Sequence, residues 1–566
     1  APMWAALAAM ANEMSLRQGG FDLGFLNPLL YQIANKSSSY ASSFHDITSG
    51  TDDFNRQNNG SYPATPHYDM ATGLGSYNAY NLATALVALA QNTGGQRVAP
   101  TNRIWYFAEG SVGGGFQEYL TLQNPDATQT ANIAVTYLFQ SQPSVVVLHS
   151  VPPRSRATIN VNADLRIGSS APHASISAIV QVTSGPGIVA ERPMYFNLNG
   201  IKSGTDVVGT TTPNTNYYFP EGDTRQNGRN YYTFITILNP SSTQTATTVL
   251  TFYTGSCGQS GQTACPTQTV ITPPLHRGTG SPLVLGLDQQ MAISTASDIP
   301  VVVERPIYFR DTIPTVGGSI TGAADEVGVP TPGNDWLFAE GYTGNHYQQY
   351  YVLANFAATA TTAHMRLEYV NGHSQTIDVT VPAMGQAYVD INAANAQPYG
   401  ICDISPCVTT NSNCAEITSD APIVAERLMY FNLPGSHGGS TETIGEPGPS
   451  SQSVFTFAEG YTANSFQEFL TLLNPTNNDE TVAITFFVDT YVIQQQLTIK
   501  AHSRQTLNIN VLVTPISSTY VNGPGAPAVS LTVQALGTDA KLVAERPMYF
   551  NFMGISGGTD VVGYTG

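Results

Sequence analysis

Charged residues are scarce in this sequence. Asp, Glu, Lys and Arg make up 11% of its 566 residues, whereas an average soluble domain contains roughly 25%. Lysine occurs only four times, and 39 acidic residues against 21 basic ones give a net charge of −18. Because nucleic-acid affinity depends on clustered Lys and Arg, this composition argues against a nucleic-acid partner. Hydrophobic residues still make up 42%, so the low charge does not predict disorder.

Long apolar runs and cysteines are also scarce. No run of 18 or more apolar residues occurs, so no membrane span is predicted, and neither end resembles a secretion signal. The five cysteines fall in two loops, Cys257 with Cys265 and Cys402 with Cys407 and Cys414. Neither loop has the CxxC or His spacing of a zinc site, so we interpret them as loop-local disulfides, with one cysteine of the second loop unassigned. Disulfides, together with the abundant Ser, Thr, Asn, Gln and Tyr, predict a secreted or cell-surface protein.

Two short motifs recur along most of the chain, at intervals of about 110 to 120 residues. The first marker occurs as Phe107-Ala108-Glu109-Gly110, Phe219-Pro220-Glu221-Gly222, Phe338-Ala339-Glu340-Gly341 and Phe457-Ala458-Glu459-Gly460. The second marker, Glu-Arg-x-x-Tyr-Phe, occurs at 191–196, 304–309, 426–431 and 545–550, and a Gly-rich tail follows it. We therefore divide the chain into an N-terminal segment (1–92), a linker (93–101), repeat 1 (102–210), repeat 2 (211–330), repeat 3 (331–448) and repeat 4 (449–566).

The repeats have the pattern of β-strands. Stretches such as 131–138 and 481–487 alternate and favour β-branched and aromatic residues. Pro and Gly turns at regular intervals predict a mainly β fold of four tandem β-sandwich repeats, Ig-like in size. The short Pro/Thr-rich linkers between them favour a rod.

Each repeat places a Glu in the first marker and a Glu-Arg pair in the second. One interpretation is a ligand or metal site in every repeat. The alternative, which we favour, is a structural ion pair at one end of each sandwich, because a buried charge needs a partner. The arginines would then pair with the first-marker glutamates, or with their own neighbouring Glu; the residues concerned are Arg192, Arg305, Arg427, Arg546, Glu109, Glu221, Glu340 and Glu459.

The N-terminal segment has a different pattern. Its sequence predicts helices over 5–14, 25–33 and 80–91, with a Gly/Asp/Asn-rich loop from 44 to 75 between the last two. Four motifs, Ala1-Pro2-Met3-Trp4-Ala5-Ala6-Leu7, 23–31, 44–48 and 68–75, stand in an order that resembles the C-terminal portion of sedolisin/kumamolisin serine-carboxyl peptidases. The resemblance covers about one sixth of the chain and implies part of an α/β, subtilisin-like domain.

The resemblance also implies where the chemistry of such an enzyme would lie. In that family the nucleophilic serine precedes the segment that matches Ala1-Pro2, and the acidic partners lie further upstream. A peptidase needs nucleophile, base and oxyanion stabilisation together, so the chain as given lacks a catalytic site. It is then half of a nicked enzyme, a fragment whose upstream segment is a partner, or a domain kept as a scaffold.

The family's calcium site has counterparts here. The resemblance implies calcium bound by the carboxylates of Asp46 and Asp69 and by the carbonyls of Ile47, Thr65 and His67. Hard oxygen ligands on two loops suit this ion. The family usually has Gly in place of Thr65 and His67, and the alternative is that the two aspartates are caps or turn formers.

Two functions remain open. The favoured one is an extracellular structural or adhesive protein, in which a rod of repeats mediates assembly into a filament or surface layer, or surface attachment. The alternative is the C-terminal part of a secreted serine-carboxyl endopeptidase, whose repeats serve as an anchor or a substrate-binding tail.

Overall fold

The fold is taken from a computed structural model. It describes residues 2–17, 23, 26–53, 62–92, 99–255, 257, 264–369, 374–394, 412–433, 437–448, 453–463, 465–488, 491–513, 528–537 and 541–566. No helix within these ranges is long and apolar enough to span a membrane.

The N-terminal segment is a small helical unit with one short hairpin. Its elements are α1 Pro2–Arg17, α2 Asn27–Ala34, α3 Ser37–Ser43, β1 Phe44–His45, β2 Ser76–Tyr77 and α4 Ala79–Asn92. The three expected helices are confirmed as α1, α2 and α4, with ends that shift by one to three residues, whereas α3 was not predicted. Small and apolar side chains of these helices pack in one cluster around Leu7, Ile33 and Leu86.

Repeat 1 consists of two antiparallel sheets. Its elements are β3 Ile104–Phe107, β4 Ser111–Val112, β5 Phe116–Asn124, β6 Ala131–Phe139, β7 Val145–Val151, β8 Ser155–Asn160, α5 Val161–Asp164, β9 Ala174–Ser184, β10 Val189–Glu191, β11 Met194–Leu198 and β12 Ile201–Thr205. A peripheral sheet has the order β3-β9-β6-β7, and an axial sheet joins β8, β5, β10 with β11, and β12. Side chains from both sheets, including Trp105, Leu120 and Val180, meet in one buried core.

Repeat 2 follows the same order, but one long strand runs through both sheets. Its elements are β13 Asn214–Phe219, β14 Asn230–Thr233, β15 Ile235–Asn239, β16 Ala246–Tyr253, β17 Thr267–Thr272, β18 His276–Gly280, a 3-10 turn at Pro282–Leu285, β19 Ala292–Ile313, a second 3-10 turn at Pro314–Val316 and β20 Gly318–Val327. The first half of β19 pairs with β13 and β16, and its second half pairs with β14, β15 and β20.

Repeats 3 and 4 complete the set. Repeat 3 contains β21 Gly333–Phe338, β22 Tyr347–Asn355, β23 Thr361–Tyr369, β24 Ser374–Val381, β25 Gly385–Asp390, α6 Ile391–Ala394, β26 Asn413–Leu433, β27 His437–Ile444 and β28 Glu446–Pro447. Repeat 4 contains β29 Val454–Phe457, β30 Gln467–Asn474, β31 Glu480–Val488, β32 Tyr491–Ile499, β33 Ser503–Asn508, β34 Val529–Ala535, β35 Val543–Phe552 and β36 Ile555–Val562. The expected mainly β class is therefore confirmed.

The four repeats close into a propeller-like ring. The last strand of each axial sheet, termed the axial strand, is β12, β20, β27 or β36. Neighbouring axial strands contact each other in the cyclic order β12, β20, β27, β36 and back to β12. Repeat 4 thus packs against repeat 1, and the rod expected from the stiff linkers is wrong. Linker stiffness limits bending between neighbours, but large complementary faces between the repeats decide the arrangement.

Aromatic residues of the second marker explain much of this closure. In every junction the Tyr of one repeat packs edge-to-face on the Phe of the repeat before it. The pairs are Tyr308 on Phe196, Tyr430 on Phe309, Tyr549 on Phe431 and Tyr195 on Phe550, with centroids 4.9–5.4 Å apart. Such aromatic pairs add roughly 1 kcal/mol each beyond the area they bury.

The Gly-rich tail makes room for these rings. Gly204 and Gly558 pair with Tyr195 and Tyr549 across the axial sheet. A Cβ on Gly204 would lie 2.8 Å from the ring of Phe550, which comes from the neighbouring repeat. A larger residue there would push the two repeats apart.

Candidate functional site

The arginines of the second marker join the repeats to one another. All four side chains are fully buried, and each enters a pair of carboxylates of the next repeat. The ion pairs are Arg192 with Glu304 and Asp325, Arg305 with Glu426 and Glu442, Arg427 with Glu545 and Asp560, and Arg546 with Glu191 and Asp206. Because Arg546 of repeat 4 pairs with Glu191 and Asp206 of repeat 1, the four junctions form a closed circle.

This pairing differs from the expected one. Each arginine reaches the first marker of its own repeat through a backbone carbonyl and not through the carboxylate. Arg305 and Arg427 donate to the carbonyls of Glu221 and Glu340 over 2.7 Å, and Arg192 and Arg546 make the equivalent bonds to Glu109 and Glu459. Each guanidinium also lies 5.9 Å from the ring of the first-marker Phe, which orients it toward the next repeat.

The glutamates of the second marker bind backbone groups across the same junctions. Glu304 accepts the N–H groups of Ala108 and Glu109 over 2.7 and 3.0 Å. Glu545 does the same for Ala339 and Glu340. Repeat 2 has Pro220 at this place and so lacks one N–H donor. There Glu426 instead binds Arg305 with both carboxylate oxygens, at 3.0 and 2.7 Å.

The first-marker glutamates pair across the junctions in the same direction. Glu109 binds Arg277 at 2.6 Å, Glu340 binds Arg504 at 2.5 Å, and Glu459 binds Arg156. These arginines occupy the second position of β18, β33 and β8. In β25 that position is Gln386, and Tyr388 donates its hydroxyl to Glu221 instead. Aligning the repeats would have revealed these three arginines, which were not selected from the sequence.

The junctions contain more carboxylates than guanidinium groups. Two buried carboxylates face each second-marker arginine, so their charges are not balanced if both ionise. Burial raises the pKa of Glu191, Asp325, Glu442 and Asp560 well above the usual range, although the facing arginine acts in the opposite direction. A junction therefore retains a proton to a higher pH than an exposed ion pair would.

Two further buried acids stand beside the junctions. Glu118 accepts the Ser111 N–H over 2.6 Å, and Glu468 occupies the same place in repeat 4. Both are fully buried, and burial raises the pKa of each to about 8. Gln349 is their counterpart in repeat 3.

A cavity of about 170 Å³ lies among the ends of the four axial strands. This axial cavity is lined mostly by aliphatic residues, and every repeat contributes to its wall: Asp206, Val207, Val208, Glu326, Val327, Val329, Thr443, Ile444, Gly445, Val561 and Val562. Two smaller cavities, of about 10 Å³ each, lie among neighbouring repeats.

The residues expected to bind calcium lie near one another in the N-terminal segment. Asp46 accepts the His67 N–H over 2.8 Å and the Tyr40 hydroxyl over 3.0 Å. Asp69 accepts the Thr65 N–H over 2.9 Å. His67 has a φ of 69°, the left-handed conformation for which Gly is better suited.

These contacts are those of turn-forming carboxylates. Asp69 also accepts the N–H groups of Ala71 and Thr72, and the N–H groups of Thr65 and Thr72 lower the pKa of its carboxyl. Ile47 is exposed. Within the described ranges, no group of three or more His, Cys, Asp or Glu side chains is arranged to hold a metal ion. Each carboxylate oxygen keeps a second lone pair that a cation could use.

The two groups of cysteines differ, and Cys414 lies in β26 and not in a loop as expected. Cys257 and Cys265 form a disulfide with an S–S distance of 2.08 Å. Cys414 is a buried free thiol whose Sγ donates to the Glu368 carbonyl at 3.4 Å, and burial raises its pKa. Cys402 and Cys407 lie outside the described residues.

Comparison with known proteins identifies no family. No protein-family model and no curated protein matches the chain. A solved structure described as Thermotoga maritima 1070 is 13% identical, with 20% of this chain and 95% of that chain covered and a TM-score of 0.17. A tetra-tandem repeat in the extending region of a large adhesion protein is 10% identical, with 78% and 94% covered and a TM-score of 0.10. At these TM-scores neither likeness supports a conclusion about fold or function.

Proposed function

We propose that this protein is an extracellular structural or adhesive protein whose four repeats act as one rigid unit. Each repeat is, in this proposal, an Ig-like sandwich that presents its peripheral sheet outward. The observation that carries the proposal is the circle of buried Arg–carboxylate junctions, which connects repeat 4 back to repeat 1. A closed ring lacks the independent movement of beads on a linker and keeps its outer faces in fixed relative positions.

The surface composition supports contact between such units. Most carboxylates of the two markers are buried in the junctions, so the exterior carries little charge for its size. Low surface charge weakens the repulsion between copies, although the net charge of −18 still opposes indiscriminate aggregation. The Cys257–Cys265 disulfide fits an oxidising compartment.

Sedimentation velocity over a range of concentrations, with negative-stain microscopy, tests the assembly part of this proposal. We expect compact ring-shaped particles that form ordered oligomers or sheets as concentration rises. Monomers at every concentration that also fail to attach to cell envelopes or other biological surfaces would contradict it. A matched variant, R546M, opens the junction between repeats 4 and 1 and should weaken both assembly and attachment.

The second candidate is the C-terminal part of a serine-carboxyl endopeptidase. The observation that favours it is an exposed apolar side of α1, where Met3 and Met10 lie two turns apart and are 72% and 53% exposed. Such a surface is suited to packing against an upstream peptidase segment. Hydrolysis of peptides at acid pH by native material, blocked by a carboxyl-peptidase inhibitor, would establish this function and contradict a purely structural one.

We also propose a calcium ion at Asp46, Ile47, Thr65, His67 and Asp69, as the resemblance implies. In a sedolisin-like domain the ion would hold the loop 62–75 against the end of β1, and the two carboxylates would supply its charge compensation. Calcium-dependent thermal stability tests this site independently of any peptidase activity.

A further inference from the structure

The axial cavity contains one residue that breaks the symmetry of the ring. The aligned positions at the ends of the axial strands are Val207, which lies two residues beyond β12, and Glu326, Thr443 and Val561, which lie within β20, β27 and β36. All four line the cavity. Only repeat 2 places a carboxylate there. The three other repeats have Val or Thr at this place, so the packing of one axial strand against the next does not in itself require an acid there.

The Glu326 carboxylate has no ion pair or side-chain hydrogen bond within the described part of the chain. It is half-buried in a wall that consists otherwise mainly of Val and Ile side chains. Leaving an ionised group in such surroundings is costly. A half-buried, unpaired acid in an apolar cavity is a feature typical of ligand sites.

The other charges near the cavity are paired. The Asp206 carboxylate binds Arg546, and the acids that act on Glu326 electrostatically, Glu426, Asp325 and Asp560, bind Arg305, Arg192 and Arg427. Glu326 therefore supplies the unpaired charge of the cavity wall, and a cation is the ligand charge that it favours.

The size of the cavity limits the ligand. A cavity of roughly 150 Å³ holds a benzene molecule, and the axial cavity measures about 170 Å³. A chain of four or five methylene or methyl groups that ends in an ammonium therefore fits.

We propose that the axial cavity binds a primary alkylammonium group, with the Glu326 carboxylate as its counter-ion and the Val and Ile side chains around its alkyl chain. The group could belong to a free alkylamine or to a lysine side chain of another protein, since both present the same chemistry. This proposal is independent of the structural or adhesive function.

Isothermal titration with n-butylammonium tests the proposal on the full chain. We expect one site per chain, with n-butanol at least tenfold weaker, because the alcohol lacks the charge. Nα-acetyl-lysine N-methylamide distinguishes the two sources: comparable affinity indicates a lysine side chain as the natural ligand, and tenfold weaker affinity indicates a free amine. Absence of n-butylammonium binding at millimolar concentration would overturn the proposal.

Variants separate the site from the fold. E326Q should lose at least tenfold in affinity for n-butylammonium. E326V places in repeat 2 the residue that repeats 1 and 4 already carry, so it should fold and should lose the amine while still accepting n-butanol. E118Q removes a different buried acid, which does not line the cavity, and should bind like the unmodified chain. If E326Q and E326V bind n-butylammonium as well as E118Q does, Glu326 is not the counter-ion.

The pH dependence gives an additional readout. Burial and the negative charge of Glu426 raise the pKa of Glu326 well above the usual range, whereas Arg305 acts in the opposite direction. Amine binding should therefore strengthen as pH rises from neutral and should release a proton, seen as a binding heat that changes with the ionisation enthalpy of the buffer. Affinity that is constant with pH would contradict an ion pair with Glu326.

Discussion

The buried acids beside the junctions predict that this protein is more stable in acid than at neutral pH. Glu118 and Glu468 each have a pKa of about 8 in the folded chain, raised from 4.5 by burial. Between pH 4.5 and pH 8 the folded state therefore keeps a proton on each of these acids, whereas the unfolded chain has released it. The stability that these two protons confer is fully present below about pH 4.5 and is lost as pH rises through about 8.

The size of the effect follows from the width of this window. One such group weakens the fold by about 1.4 kcal/mol for each pH unit between its two pKa values. At pH 7 the loss is about 3 kcal/mol for Glu118, and a similar loss applies to Glu468. The protonated carboxylates of the junctions act in the same direction.

The matched variant is E118Q, since Gln is the residue at this place in repeat 3. Gln349 there exchanges two hydrogen bonds with Asn413, at 3.0 and 3.1 Å, whereas repeat 1 has Ile176 at the place of Asn413, so an amide at 118 would keep only the Ser111 N–H as its partner. At pH 7 we expect E118Q to raise the free energy of unfolding by at most about 3 kcal/mol, because the amide has no proton to lose on unfolding. Below the ordinary pKa of Glu, the variant and the unmodified chain should be nearly equal.

Urea unfolding followed by tryptophan fluorescence measures this. Trp105 and Trp336 are buried in the cores of repeats 1 and 3 and report on the ring. The reasoning is refuted if the unmodified chain is as stable at neutral pH as in mild acid, or if E118Q is destabilised at neutral pH and unchanged in its pH profile.

Three further predictions concern other parts of the chain. R546M should lower the free energy of unfolding by about 3–5 kcal/mol, because it leaves two buried carboxylates of repeat 1 without their partner. The control R17M, at an exposed ion pair, should change this free energy by less than about 1 kcal/mol. If the two variants have equal effects in urea unfolding, the closed ring is contradicted. C257S/C265S should lower it by about 2–3 kcal/mol through loop entropy, and a larger loss would mean that the disulfide stabilises more than its own short loop. If calcium binds the N-terminal segment, added calcium should raise its thermal midpoint in the unmodified chain and not in D46N; no shift in either contradicts the site.

The sequence alone determined the secondary structure of this protein well. The mainly β class and the helices α1, α2 and α4 follow from local patterns, because the period of hydrophobic residues and the position of turn residues can be read from neighbouring positions of the chain. The Cys257–Cys265 proximity also follows from its short loop. An alignment of the repeats would also have singled out Glu118 and Glu468, since three of the four repeats have an acid or an amide at this position.

Only the tertiary structure decided how the units combine. The markers indicated buried charge, but the sequence could not show that Arg192 would reach Glu304 and Asp325, which are more than 100 residues away in another repeat. Whether tandem repeats form a rod or a ring depends on the complementarity of faces that are distant in sequence. Local sequence patterns therefore do not predict the arrangement of the repeats. The axial cavity exists only after closure, and Glu326 becomes conspicuous only when its three counterparts surround it.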